Sequence, residues 1–181
     1  MATETVKQKL ASAYTSLKDT FGYKNTMQVP RIEKIVVSTG VGKVDDKRKL
    51  ELIQDRLAKI TGQKAAPRPA RLSIATFKLR EGDIVGYQVT LRGERMRLFL
   101  DKLINIALPQ TRDFRGLKTT AIDEMGNITL GVKEHTIFPE TTDEDIKDVF
   151  GLAITIVTTA NTKAEAEALL RHIGLPLQKE A

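Results

Sequence analysis

The chain has 181 residues, 41% hydrophobic and 29% charged, with a net charge of +6 and a pI near 9.5. That length suits a single domain over residues 1–181 with its own core, and the charge favours acidic partners. No cysteine is present, which excludes disulfides, thiolate nucleophiles and sulfur-ligated zinc; no apolar run approaches the roughly 18 residues of a membrane span, and MATETVKQKL lacks a signal-peptide core, so a cytoplasmic protein with no membrane partner is expected.

Residues 2–21 read as a helix, because Val6, Leu10, Ala13, Tyr14 and Leu17 recur at three- and four-residue spacing and Gly22 closes the pattern. The β-branched run IEKIVVST (32–39) is a strand and GVG (40–42) a turn. Asp45 or Asp46 caps a helix over 46–60 with the stripe Leu50, Ile53, Leu57 and Ile60, ended by Thr61-Gly62. QKAAPRPARL (63–72) is an interrupted strand that Pro67 and Pro69 confine to an edge, and a loop follows to about residue 83. IVGYQVTLR (84–92) alternates: Val85, Tyr87, Val89 and Leu91 face one way, Gln88, Thr90 and Arg92 the other, with Gly86 on the polar side. Glu94 to Leu108 is a helix that Pro109 stops. A long connection (110–126) leads to the strand NITLGVK (127–133), an acidic region FPETTDEDIKD (138–148) and the strand LAITIVTT (152–159). A capping box, Thr162 with Glu165, starts a last helix that ends at Gly174.

The order α-β-α-β-β-α-β-β-α lacks strict βα alternation. It predicts an α+β fold: a mainly antiparallel sheet covered by helices on one face, the other face open, with a protruding basic loop at about 70–83.

Charge is distributed unevenly. Residues 1–62 carry 12 Lys/Arg against 7 Asp/Glu, residues 63–118 carry 12 against 5, and residues 119–181 carry 5 against 11. A basic front and an acidic rear suit two partners of opposite sign.

Catalytic signals are absent. His135 and His172 have no ligand-spaced neighbours, and HExxH, GxSxG and a nucleophilic cysteine are all missing. GVGK (40–43) fails as a phosphate loop, since Lys43 is followed by Val44. The acidic residues Glu140, Asp143, Glu144, Asp145 and Asp148 lack EF-hand spacing and read as a solvated surface facing a basic protein. No catalytic residue, metal or cofactor is expected.

The basic elements point to RNA. Arg68, Arg71, Lys78 and Arg80 lie on or beside one loop, with Ile74 and Phe77 among them, and only Glu81 and Asp83 oppose them nearby. The polar strand face Gln88, Thr90 and Arg92 offers hydrogen-bond donors for phosphate, 2′-hydroxyl and base edges. Stacking aromatics of the RRM type are missing from that face, so shape, phosphate and hydroxyl contacts should dominate. Arg95 and Arg97 sit at a helix N-terminus, where the helix dipole opposes them, so something outside the helix should account for them.

The segments MQVPRIEKIVV (27–37), TGQK (61–64), SIATFKLREG (73–82), VTLRGERM (89–96), RDFRGL (112–117), IFPE (137–140) and TIVTTANTKAEAEALL (155–170) occur in order. Together they resemble the bacterial large-subunit ribosomal protein number five family over nearly the whole chain. The resemblance implies a structural, non-enzymatic constituent of the large ribosomal subunit with 5S rRNA and 23S rRNA as partners. It places 5S rRNA contacts at Ser38, Gln63 and Thr90, beside Gln88 and Arg92. It gives the loop residues Arg68, Arg71, Lys78 and Arg80 to P-site tRNA, and Asp143, Glu144 and Asp145 to a bridge with small-subunit ribosomal protein thirteen. The chain departs from the family pattern in three places: Ser38-Thr39 stands for the usual Asn-Met before Gly40, Thr76 for the usual Gly, and IFPETTDEDI for IFPEIDYDKV. The alternative is a non-ribosomal RNA-binding or protein scaffold module.

Overall fold

In α1 (Val6–Phe21) the buried positions Val6, Ala13 and Leu17 lie on one face, and Gly22 terminates the helix in the left-handed region. The structure, a computed structural model, describes residues 5–42, 46–112, 114–141 and 149–178. The other elements are β1 (Ile32–Gly40), α2 (Lys47–Thr61), β2 (Ala66–Pro69), β3 (Ile84–Leu91), α3 (Gly93–Lys102), β4 (Ile128–Val132), β5 (Leu152–Thr158) and α4 (Lys163–Ile173). They follow the expected order. The fold is α+β, with a five-stranded antiparallel sheet in the order β2-β3-β1-β5-β4.

The chain divides into two compact units, one formed by Met1–Ile35, Arg92–Leu130 and Thr155–Ala181, the other by Val36–Leu91 and Gly131–Ile154. In the first, α1 packs on α3 and α4. The helix ends are tied by side chains of their neighbours. Asp101 Oδ1 on α3 accepts the Val6 N–H at 2.8 Å, and Lys9 Nζ donates to the Ile173 carbonyl at the end of α4 at 2.9 Å. Each contact meets an end group that a helix leaves unpaired, with the charge sign the helix dipole favours. Residues 117 and 177 form a short parallel bridge, in which Leu117 N–H donates to the Pro176 carbonyl at 2.8 Å.

The helix beginning at α3 does not stop at Pro109, as its sequence suggests. It widens into a π turn at Leu103–Ala107 and continues through a closing turn, Leu108–Gln110. A proline ring collides with the carbonyl four residues back in a regular α-helix. Here Leu108 N–H bonds the Leu103 carbonyl, five residues back, and this register change admits Pro109 inside the last turn.

In the second unit α2 packs on β3. Ile53, Leu57 and Ile60 are buried on α2, as are Tyr87, Val89 and Leu91 on β3, each large aliphatic side chain contributing about 1.5–3 kcal/mol. Asp46 caps α2: its Oδ1 accepts the Arg48 N–H at 2.9 Å. Pro67 and Pro69 lie in β2, at the sheet edge as expected, where a missing N–H costs no ladder bond on the open side.

Candidate nucleic-acid interface

The alternation of β3 sets the site. Tyr87, Val89 and Leu91 are buried, while Gln88 and Thr90 are half-buried and Arg92 is exposed. In β1, Ile35, Val37 and Thr39 are buried and Ser38 is half-buried between them. Ser38, Gln88 and Thr90 therefore lie on the less buried set of strand positions, and Arg92 directly follows β3 as the N-cap of α3. Burial raises the Tyr87 phenol pKa above its ordinary value, with the Glu51 carboxylate of α2 adding to the rise. That is the electrostatic signature of the opposite, helix-covered side.

Two carboxamides frame the face. Gln63, just past the end of α2, donates through Nε2 to the Thr90 carbonyl at 3.5 Å. Gln88 Oε1 accepts from Arg68 Nε at 2.7 Å. Arg68, grouped from the sequence with the loop, thus belongs to β2 and is held beside the β3 face by the antiparallel pairing of Ala66 with Gln88 and Arg68 with Gly86. Its terminal guanidinium nitrogens are uncommitted among the described residues, as are the hydroxyls of Ser38 and Thr90 and the guanidinium of Arg92. A face of hydroxyls and guanidinium groups aimed away from the core can donate to phosphate oxygens, sugar hydroxyls and base edges.

Close packing of β1 on β3 explains Gly86. A Cβ there would lie 2.8 Å from the Thr39 carbonyl oxygen, closer than side-chain carbons stand in folded proteins. The sequence shows that glycine only as a gap in the polar face; the contact itself needs the three-dimensional register.

Loop residues 71–78 are all exposed. Arg71, Lys78 and Arg80 have no carboxylate within ion-pair distance among the described residues. Of the two acidic residues near them in sequence, Glu81 forms no ion pair among the described residues and Asp83 spends its carboxylate on the Arg80 backbone N–H at 2.8 Å. At the start of α3, Arg95 is exposed and has no carboxylate partner among the described residues, whereas Arg97 pairs with Glu94 at 3.4 Å, a local explanation for one of the two arginines. The acidic residues Asp143, Glu144 and Asp145 lie outside the described residues, as do Lys43, Val44 and Asp45.

Both histidines make contacts within the fold. His135 is buried, stacked on Phe150 at 4.1 Å between ring centroids, and its Nδ1 accepts the Phe150 N–H at 3.3 Å. His172 Nε2 lies 2.8 Å from the Lys9 carbonyl, its acceptor, and 3.1 Å from Ser12 Oγ. Among the described residues no group of His, Asp and Glu could hold a metal, and no helix is long and apolar enough to cross a membrane. A cleft of about 500 Å³ in the first unit contains Tyr23 and Glu165, but these bond each other at 3.1 Å.

Residues 25–80 match the family model described as ribosomal protein L5, and residues 84–177 match the model of that family's C-terminus. The chain belongs to the ribosomal protein L5 family. It is 51% identical over 177 residues to a protein of Flavobacterium johnsoniae, covering 97% of this chain and 95% of the relative. Identity is 53% over 173 residues to one of Rubrobacter xylanophilus, with coverages of 95% and 94%. A relative in Ureaplasma urealyticum is 48% identical over 174 residues, with coverages of 96% and 93%. All three carry the name large ribosomal subunit protein uL5. The L5 family consists of structural, non-enzymatic components of the ribosome, in accord with the resemblance found in the sequence.

Proposed function

We propose that the chain is a structural constituent of the large ribosomal subunit whose open sheet face binds 5S rRNA through Ser38, Gln63, Gln88, Thr90 and Arg92. Arg71, Lys78 and Arg80 contact P-site tRNA, with Arg68 at the base of their loop. Asp143, Glu144 and Asp145 meet small-subunit ribosomal protein thirteen, and 23S rRNA supplies the remaining surroundings of a cytoplasmic ribosome. The observation that carries this reading is the polar alternation along β3, where half-buried Thr90, and exposed Arg92 directly after the strand, alternate with fully buried Val89 and Leu91. Polar groups set on and just after a strand, with the Thr90 hydroxyl and Arg92 guanidinium uncommitted among the described residues, are suited to a folded RNA.

The test is 5S rRNA binding by filter retention at fixed salt. Thr90→Val and Arg92→Ala should each weaken binding by about 1–3 kcal/mol, the scale of a lost polar or charged contact. Unchanged affinity in both variants would refute the sheet-face site.

A further inference from the structure

The loop between β2 and β3 displays more than charge. Phe77 is 68% exposed, Leu72 72% and Ile74 42%. An irregular loop free to rearrange would fold such side chains back onto the protein surface. This one is braced against doing so. At its base Ala70 N–H donates to the Asp83 carbonyl at 2.8 Å, and Gly82 N–H to the Ala70 carbonyl at 3.1 Å. Near its tip Ile74 and Leu79 exchange backbone hydrogen bonds of 3.0 and 3.2 Å. Ser73 Oγ accepts the Glu81 N–H at 2.9 Å. Between Ile74 and Leu79 the chain makes a tight turn, Ala75–Phe77, closed by Lys78 at φ +53°, the one non-glycine residue with positive φ among the described residues. A lysine rarely adopts that conformation, and here it is held there directly after Phe77. The backbone thus presents the aromatic residue at a braced turn, on the same loop as cations that have no ion-pair partner among the described residues.

We propose that Phe77 stacks on an exposed base of the RNA that Arg71, Lys78 and Arg80 hold by its phosphates, with Leu72 and Ile74 packing beside the ring. The inference rests on the tRNA contact proposed above and adds to it a readout that charge cannot provide. The occupant follows from the combination of groups. The same exposed loop carries Arg71, Lys78 and Arg80, none of which has an ion-pair partner among the described residues, and a purely apolar protein pocket would have to desolvate them. A nucleic acid satisfies both at once, since every base offers a π-face and its phosphates meet the cations.

Ribosomes carrying each variant in place of the wild-type chain provide the test, with the dissociation constant of P-site tRNA measured over a range of monovalent salt. Phe77→Ala should raise it about 5- to 150-fold, the span of one base–aromatic stack, without altering its salt dependence. Phe77→Trp should restore binding and Phe77→Leu should not. The triple variant Arg71→Ala, Lys78→Ala, Arg80→Ala should weaken binding and flatten the salt dependence by about 0.7–0.9 in log–log slope per phosphate released. Because Phe77 is exposed, the thermal midpoint of each Phe77 variant should equal that of the wild type. Rescue by leucine would assign the tip to an apolar pocket and overturn stacking. A silent Phe77→Ala beside a weakened triple variant would overturn the stack and leave the tRNA contact standing. Silence in both would remove the tRNA contact itself.

Discussion

Replacing Gly86 by alanine tests the close approach of β1 and β3 on which the site geometry depends. The added Cβ would stand 2.8 Å from the Thr39 carbonyl oxygen, 3.8 Å from its carbon and 3.9 Å from Gly40 Cα. Ordinary contact begins near 3.4 Å, so one strand must give by roughly half an ångström, and the obstacle is backbone and not a flexible side chain. Overpacking of this kind costs about 1–3 kcal/mol. The substitution also stiffens the unfolded chain, which returns about 0.4–1 kcal/mol, leaving a net loss of about 1–2 kcal/mol. Gly131→Ala is the control: it lies in β4 with nothing within 4 Å and no positive φ, so it should be neutral or slightly stabilising. In urea, with a slope of about 1–3 kcal/mol per molar, the Gly86 variant should unfold at a midpoint lower by about 0.3–2 M. Its affinity for 5S rRNA should fall as well, although no proposed contact has been removed, because Gln88 and Thr90 ride on the displaced strand. If both variants unfold with the wild type, β1 and β3 do not approach as described.

Two further stability predictions follow from buried polar contacts. Burial, the hydrogen bond to Glu165 and the charge of that carboxylate together push the Tyr23 phenol up to about 12 from 10.0. The folded chain then keeps a proton that the unfolded chain loses, so this contribution is fully present below pH 10 and disappears as pH rises through 12. Tyr23→Phe should cost about 1 kcal/mol at neutral pH and show a shallower alkaline fall in thermal midpoint than the wild type; parallel curves would rule the coupling out. Thr39 Oγ1 donates to the Gly151 carbonyl at 2.7 Å, so Thr39→Val keeps the shape, removes the donor and should cost about 1 kcal/mol by denaturant unfolding. An unchanged midpoint would show that water replaces this bond without loss.

What the sequence discloses here is what depends on local chemistry. The apolar spacing in α1 and α2, the Asp46 and Thr162 caps, and the alternation of β3 are short-range patterns, and each marks its element. Even the last cap shows the boundary of that method. Thr162 Oγ1 accepts the Glu165 N–H at 3.3 Å as a capping box requires, but Glu165 Oε2 accepts from Asn161 N–H, not from Thr162. Its other carboxylate oxygen is engaged by Tyr23, 142 residues away in sequence. The π turn before Pro109, the clash that reserves position 86 for glycine and the bond from Arg68 to Gln88 likewise depend on which segments meet. Periodicity gives the face on which Gln88 lies; only strand pairing puts Arg68 next to it.

On the function proposed above, that pairing separates two ways in which one chain would hold RNA. On β3 the proposed contacts come mostly from short or pinned side chains: Thr90 on a strand, Gln63 donating to the Thr90 carbonyl, Gln88 fixed by Arg68. Such groups lose little conformational freedom on binding, and their hydrogen bonds demand partners in set places, which favours one folded RNA over others. The loop cations are long, exposed and without counter-charges, so their attraction is felt at a distance, tolerates many phosphate positions and weakens with salt. On this division the strand face supplies discrimination and the loop supplies reach. A loop needing only reach would have no use for the exposed apolar ring at Phe77; holding that ring out among cations makes sense where the loop must also register the face of a base.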